Sequence, residues 1–126
     1  MQVPDDLLYT EEHEWIRRVG DSTVRIGITD YAQDQLGDVV FVELPEVGAT
    51  VSKDDILVEV ESTKSVGEVY APFSGRVAAV NPALASTPEL VNQSPYEQAW
   101  FVEIEVDDEV DTSGLLDAAA YRELTE

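Results

Sequence analysis

Two β-prone segments joined by a short polar break occupy the middle of the chain, and this pattern constrains the fold more than any other. Apolar and acidic side chains alternate towards the end of residues 56–61, and β character resumes over residues 66–71. The break between them reads Ser-Thr-Lys-Ser and is polar throughout. The sequence therefore predicts a β-hairpin with Lys64 at its tip. The apolar side chains predicted to share the buried face of the first strand are Ile56, Val58 and Val60.

Further short strands are predicted on both sides of this hairpin, separated by glycine- and proline-containing turns. They span residues 14–19, 22–28, 38–44, 76–80 and 100–106. The first two flank a Gly-Asp pair, which is typical of a hairpin. Residues 81–95 contain three prolines and few periodic apolar positions, so an ordered loop is expected there.

Two helices are predicted outside these strands. Thr29 can cap a short helix over residues 30–36, and Gly37 suits its C-terminal exit. Ser113 can cap a last helix over residues 114–124. The apolar residues expected on one side of that helix are Leu115, Leu116, Ala119, Ala120 and Leu124. The chain as a whole is therefore expected to be a mainly β protein with one internal and one C-terminal helix.

The charge of the chain restricts its partners. Its 126 residues suit a single domain, residues 1–126. They include 7 basic and 27 acidic side chains, which give a formal net charge of −20. A surface this acidic repels both the nucleic-acid backbone and anionic lipids, so neither nucleic acid nor a membrane is expected as a partner. Brief docking on the basic surfaces of other proteins fits this charge, and so does solubility alone.

Several kinds of site are excluded by residue content. The chain has no cysteine and a single histidine, His13, which excludes disulfides, protein thiol nucleophiles and thiolate or histidine-rich metal sites. The acidic run over residues 107–111 lacks EF-hand spacing and is expected to be a solvated linker, so no metal site is predicted. We find no catalytic constellation. No apolar segment approaches the length of a membrane span and the first residues lack signal- or transit-peptide character, so a cytoplasmic location is expected.

The chain has two lysines, and they occupy different settings. Lys53 stands beside Asp54 and Asp55, where a surface ion pair is expected. Lys64 lies between small polar residues on the predicted hairpin tip. It is either an ordinary solvated lysine or the attachment point of a cofactor, because acylation turns the ammonium into a neutral amide and leaves a long flexible arm on a rigid turn.

An ordered set of segments resembles the glycine cleavage system H-protein family. Residues 61–65 (Glu-Ser-Thr-Lys-Ser), followed by residues 71–75 (Ala-Pro-Phe-Ser-Gly), resemble that family's lipoylation site. The other matching segments are residues 13–15, 27–33, 36–45, 80–82 and 95–96, with Trp100, so that residues 7–125 are covered. Biotin carriers usually flank the lysine with methionine, and lipoyl domains of the 2-oxo acid dehydrogenases usually show Asp-Lys-Ala at the tip. Lys64 lies between small polar residues, so its setting resembles neither of these related families.

The resemblance implies a fold and a function. The fold is a flattened barrel or two-sheet sandwich of the lipoyl/biotinyl type, with the helices outside the sheets. The function is that of a non-catalytic carrier in glycine catabolism, with lipoate covalently attached to Lys64. Its partners would be the pyridoxal-phosphate glycine decarboxylase, which loads an aminomethyl group, the aminomethyltransferase, dihydrolipoyl dehydrogenase and lipoate-attaching enzymes. A relay of octanoyl or lipoyl groups and an acidic interaction domain without carrier chemistry remain as alternatives.

The resemblance also assigns roles to acidic side chains and one glycine. Glu61 and Gly75 would help a lipoate-attaching enzyme recognise the hairpin, Glu61 by its charge and Gly75 by keeping the shape of a turn. Glu14 and Glu68 match acidic residues of the cleft that holds the loaded arm, although solvated surface acids are the simpler interpretation. Glu12 replaces a small polar residue of some family members, and the roles of Glu12 and of the neighbouring histidine stay open.

Overall fold

The computed structural model describes residues 2–107, 110 and 112–125, and most of its regular structure is β. Its strands are β1 Leu8–Tyr9, β2 Glu14–Arg18, β3 Thr23–Ile28, β4 Val39–Glu43, β5 Thr50–Val51, β6 Ile56–Ser62, β7 Val66–Tyr70, β8 Gly75–Val80 and β9 Val102–Val106. Its helices are α1 Asp30–Leu36, α2 Ala83–Ser86, α3 Leu90–Gln93 and α4 Ala118–Thr125. No helix of the described part of the chain is long and apolar enough to cross a membrane.

The strands form two antiparallel sheets that share one hydrophobic core. The larger sheet has six strands in the order β1-β2-β3-β9-β8-β5, and the smaller has three in the order β4-β6-β7. Fully buried side chains from both sheets belong to the same core cluster, among them Val24, Ile26, Val60, Val77 and Ile104. The two-sheet form of the predicted fold is thus confirmed, and the sheets do not close into a barrel.

The first strand of the central hairpin differs from its predicted pattern at one end. Ile56 was expected on the buried face, but 52% of its surface is exposed, and Leu57 is buried instead. The cause is an irregularity in the pairing of β6 with β7 between Ile56 and Val58. A bulge adds a residue to one strand and so reverses the inward and outward positions before it.

The segment predicted as a loop, residues 81–95, contains the one-turn helices α2 and α3. Each of them buries a single residue, Leu84 in α2 and Val91 in α3. A helix that buries one side chain shows no apolar periodicity, which is why the pattern of the sequence did not reveal these helices.

The C-terminal helix is shorter than predicted and buries a different face. It begins at Ala118, because Leu116 is in extended backbone that forms a β-bridge with Tyr9. Its buried residues are Ala118 and Tyr121, whereas Leu124 is 49% exposed. The Tyr121 ring stacks on that of Tyr9, with 4.7 Å between the centroids. The predicted acidic linker at 107–111 falls largely outside the described residues.

Gly75 has a structural role that differs from the one predicted. It is buried at the start of β8, where it pairs with both β5 and β9, and is not part of a turn. A Cβ atom at this position would overlap the backbone carbonyl of Glu105. Close approach of two strands, and not an unusual backbone conformation, therefore requires glycine here.

We expect Gly75→Ala to lower the free energy of unfolding by at least about 2 kcal/mol, because backbone atoms cannot move away as a flexible side chain can. Urea denaturation measures this change. Gly114→Ala is the matched control, since Gly114 has no atoms within 4 Å of a Cβ atom placed on it. Equal stability of the two variants would show that β8 and β9 are not closely paired at this point.

Candidate functional site

The predicted hairpin and the position of Lys64 on its tip are confirmed. Strands β6 and β7 pair as far as Glu61 and Val66, and Lys64 is exposed between them. The Ser62 hydroxyl organises the tip: its Oγ accepts the N–H of Lys64 at 3.3 Å and that of Ser65 at 3.0 Å, and donates to the Ser65 carbonyl at 3.1 Å. This role of Ser62 was not among the predictions from the sequence, although serine is a common first residue of such turns.

The tip is also held from outside the hairpin. The Thr63 N–H donates to the Asp38 carbonyl at 3.0 Å. The Lys64 stem lies against Gly37, since a Cβ atom at Gly37 would be 3.4 Å from Cε of the lysine. Gly37 has φ 82° and ψ −158°, a region of backbone space that is nearly restricted to glycine. The lysine therefore leaves a turn that is fixed both internally and by the end of α1.

A cavity of about 180 Å³ lies beside the hairpin, and we call it the hairpin cleft. Its lining includes Glu12, His13, Tyr31, Leu36, Gly67 and Glu68. Helix α1 approaches β7 closely because Gly67 has no side chain: a Cβ atom there would be 3.0 Å from Leu36 Cδ2. The cleft thus combines an apolar wall with two exposed carboxylates, Glu12 and Glu68. Such a site fits a slim apolar chain that ends in a cation.

Glu14 does not line the hairpin cleft and is buried, with 2% of its surface exposed. It is therefore not a solvated surface acid, which was the simpler interpretation of the sequence. Its Oε2 accepts the Tyr70 N–H at 2.7 Å and its Oε1 accepts the Thr10 hydroxyl at 3.1 Å. It lines a second, wider cavity of about 570 Å³, together with Glu12 and Asp54. The structure therefore brings Glu68 to the hairpin cleft and Glu14 to the neighbouring cavity, and Glu12 contributes to both.

Burial raises the pKa of Glu14 from its ordinary value of 4.5 to about 7. The hydrogen bonds from Tyr70 and Thr10 favour the carboxylate and oppose this change, but they only reduce it. Glu14 is consequently close to half ionised near neutral pH, in contrast to an exposed glutamate.

His13 links the cleft to the C-terminal helix. Its Nδ1 lies 2.8 Å from the Tyr121 hydroxyl, which in turn lies 2.7 Å from Oγ1 of Thr29, the N-cap of α1. The His13 ring also packs on Tyr31 with 4.6 Å between centroids. Burial lowers the pKa of His13, which favours the neutral ring. Tyr121 could not be predicted from the sequence, because a contact across 108 positions leaves no local pattern.

The two residues expected to guide a modifying enzyme are in different sheets. Glu61 is exposed on β6 beside the tip, with Phe41 and Val66 opposite it on the neighbouring strands. Gly75 is buried in the six-stranded sheet. Glu61 thus lies next to the tip that carries Lys64, whereas Gly75 belongs to the other sheet.

A sandwich of two antiparallel sheets that presents one lysine on a fixed, exposed hairpin tip is the arrangement expected of a carrier domain, in which a rigid turn offers a group to other proteins. The model of the Glycine cleavage H-protein family matches residues 7–126. The chain belongs to this family, and its role is that of a lipoyl carrier in glycine cleavage.

Relatives and solved structures agree with this membership. The chain is 57% identical over 125 residues to a glycine cleavage system H protein of Mycolicibacterium smegmatis, with 96% of this chain and 95% of the relative covered. It is 54% identical over 125 residues to one of Bacillus cereus, with 99% and 98% covered. A crystal structure of a glycine cleavage system H protein from Mycobacterium marinum superposes with a TM-score of 0.87 at 40% identity, with 98% of each chain covered.

The raised pKa of Glu14 predicts a pH-dependent effect of Glu14→Gln. The folded state holds this proton more tightly than the unfolded state, so ionisation of Glu14 lowers the stability of the wild type as pH rises from 4.5 to about 7. Glutamine keeps the size of the side chain and cannot ionise. The stability of Glu14→Gln relative to wild type should therefore increase by up to about 3 kcal/mol between pH 4.5 and pH 8.

Urea denaturation at several pH values across this interval measures the difference. Glu11→Gln, which removes an exposed carboxylate from the preceding turn, is the control for the loss of one negative charge. If the Glu14→Gln curve is parallel to that of wild type, the Glu14 carboxyl ionises in the folded protein as it does in water.

Proposed function

We propose that Lys64 carries lipoate in amide linkage and that the chain itself catalyses no step of glycine cleavage. The observation that supports this most directly is the fixed tip, where an exposed lysine is held by Ser62 from within and by Gly37 and Asp38 from outside. Its partners would be glycine decarboxylase, aminomethyltransferase, dihydrolipoyl dehydrogenase and a lipoate-attaching enzyme. The proposal includes the cytoplasmic location expected from the sequence.

The residues around Lys64 suit this group. The Lys64 side chain is exposed, so an enzyme can reach its Nζ. When bound, a lipoyl group supplies a disulfide that can accept and release the aminomethyl unit, a reactivity that a chain without cysteine does not have of its own. The hairpin cleft begins at Gly67, the second residue of β7 and three residues beyond Lys64, so the arm and the cleft are neighbours.

The carboxylates of the cleft would hold the loaded end of the arm. An amine carried there is protonated near neutral pH, and the exposed Glu68 and Glu12 offer it negative charge beside an apolar wall. Glu14 contributes from the adjacent cavity, where its charge depends on pH. Exclusion of water by the apolar wall would slow hydrolysis of the bound unit.

Lys64→Arg should abolish lipoylation and leave the fold intact, because the tip supports no part of the core. Intact mass after expression in a lipoylating host measures the gain of one lipoyl group. Lys53→Arg is the matched control, since both lysines are exposed on turns and the chain has no other. Persisting lipoylation in Lys64→Arg would refute the attachment site, and an unmodified wild type would favour the acidic interaction domain.

Glu68→Gln should speed the loss of the bound one-carbon unit about 3- to 10-fold, a change that corresponds to about 1 kcal/mol of electrostatic stabilisation at a partly exposed site. Lipoylated protein is charged with methylamine, and formaldehyde release is followed with time. Glu59→Gln is the control, because Glu59 lies opposite Glu68 on β6 but does not line the cleft. Equal release from the wild type and from the Glu14→Gln and Glu68→Gln variants would rule out protection by these carboxylates.

A further inference from the structure

Asn92, in α3, makes three hydrogen bonds with its side chain. Its Oδ1 accepts the Val39 N–H at 2.8 Å. Its Nδ2 donates to the Gly37 carbonyl at 2.8 Å and to Oε1 of Gln33 at 2.9 Å. Both donors and one acceptor of the amide are used, and the partners lie in the middle of α1, at its C-cap and at the start of β4.

The segment that Asn92 holds, residues 37–39, is the surface on which the hairpin tip rests. It includes the glycine that contacts the Lys64 stem and the Asp38 carbonyl that accepts the Thr63 N–H. We call this segment the platform. The bonds of Ser62 fix the turn within the hairpin, whereas the platform fixes the direction in which the lysine stem lies relative to the rest of the domain.

Enzymatic acylation of Lys64 requires its Nζ to meet an activated acyl carbon. The free amine form of Nζ attacks the acyl carbon of an acyl adenylate, the amide C–N bond forms, the bond from carbon to the phosphate oxygen breaks, AMP leaves, and the proton of the amine passes to solvent. An enzyme that recognises the hairpin body has to find Nζ within attacking distance of this carbon and above the plane of its carbonyl group, and a misplacement of about 1 Å can slow such a step by about two orders of magnitude.

We propose that Asn92 is a positioning residue for the modification of Lys64: through the platform it aligns the lysine stem for the acyl-transferring enzyme. The proposal rests on the attachment of lipoate to Lys64. Nothing in it requires Asn92 to touch the enzyme or the acyl group, because its effect passes through Gly37 and Asp38.

Asn92→Asp tests this with the smallest change of shape. The carboxylate still accepts the Val39 N–H, but it cannot donate to Gly37 or Gln33 and places oxygen against their oxygens. Asn81→Asp is the matched control. Asn81 is more deeply buried in the same connecting segment, and its side chain bonds to Gln98 and Ala83 and not to the platform.

The experiment uses the full-length unmodified chain, a lipoate ligase, ATP and lipoate, with initial rates taken from intact mass at several protein concentrations. We expect Asn92→Asp to lower kcat about tenfold or more and to change KM less than threefold, since the surface of the hairpin body is intact. Asn81→Asp should stay within twofold of wild type. Gly37→Ala, which strains the platform directly, should reproduce the loss of kcat.

Two further measurements separate alignment from unfolding. Hydrogen exchange of the Thr63 amide should become faster in Asn92→Asp and stay unchanged in Asn81→Asp. Chemical acylation of Lys64 by a small activated ester should proceed at the wild-type rate in both, because Nζ remains exposed. Equal kcat for Asn92→Asp and wild type, or equal losses in both asparagine variants, would overturn the role of Asn92. Failure of the wild type to accept lipoate would instead overturn the proposed function.

Discussion

The hydrogen bond from the Tyr70 N–H to the carboxylate of Glu14 joins the two sheets at the base of the hairpin, and the geometry of the site depends on it. Tyr70 ends β7, an edge strand of the smaller sheet, and Glu14 begins β2 of the larger one. Burial of a carboxylate is unfavourable by several kcal/mol unless it is hydrogen-bonded, and both oxygens of Glu14 accept bonds. This contact ties the end of the strand that carries Gly67 and Glu68, two residues that line the hairpin cleft, to the larger sheet.

Repulsion between acidic side chains on the outer face destabilises the smaller sheet. Glu43, Glu59 and Glu68 lie directly opposite one another across its three strands, and like charges in such positions destabilise a sheet. Packing of the inner face into the shared core offsets the repulsion: Val60 is fully buried and Val42 is 4% exposed. The acidic surface beside Lys64 is therefore maintained by apolar contacts on the opposite side of the same strands.

Local patterns in the sequence were enough to predict the hairpin, its lysine and helix α1, because each depends on neighbours in the chain. Thr29 caps α1 as expected, with Oγ1 accepting the Ala32 N–H. The burial of Glu14 and the bonds of Asn92 and Tyr121 could not be predicted in this way. The hydrogen bonds Glu14–Tyr70, Asn92–Val39 and Tyr121–His13 join residues at least 53 positions apart. A polar residue also carries no signal of its own burial. The bulge at Ile56 likewise depends on pairing and not on alternation.

The surroundings of Lys64 are assembled from four separated parts of the chain. The position of this single side chain therefore depends on the whole domain. The hairpin supplies Lys64, and the surface under its stem comes from α1 and Gly37. Helix α3 supplies Asn92, which holds that surface, and α4 supplies the Tyr121 hydroxyl that reaches His13. A flexible arm is useful only if its origin is fixed, since each partner must find it in the same place. In the proposed carrier, rigidity at Lys64 and freedom beyond it would come from different parts of the molecule: the folded chain fixes the origin, and an arm attached to the lysine would supply the motion.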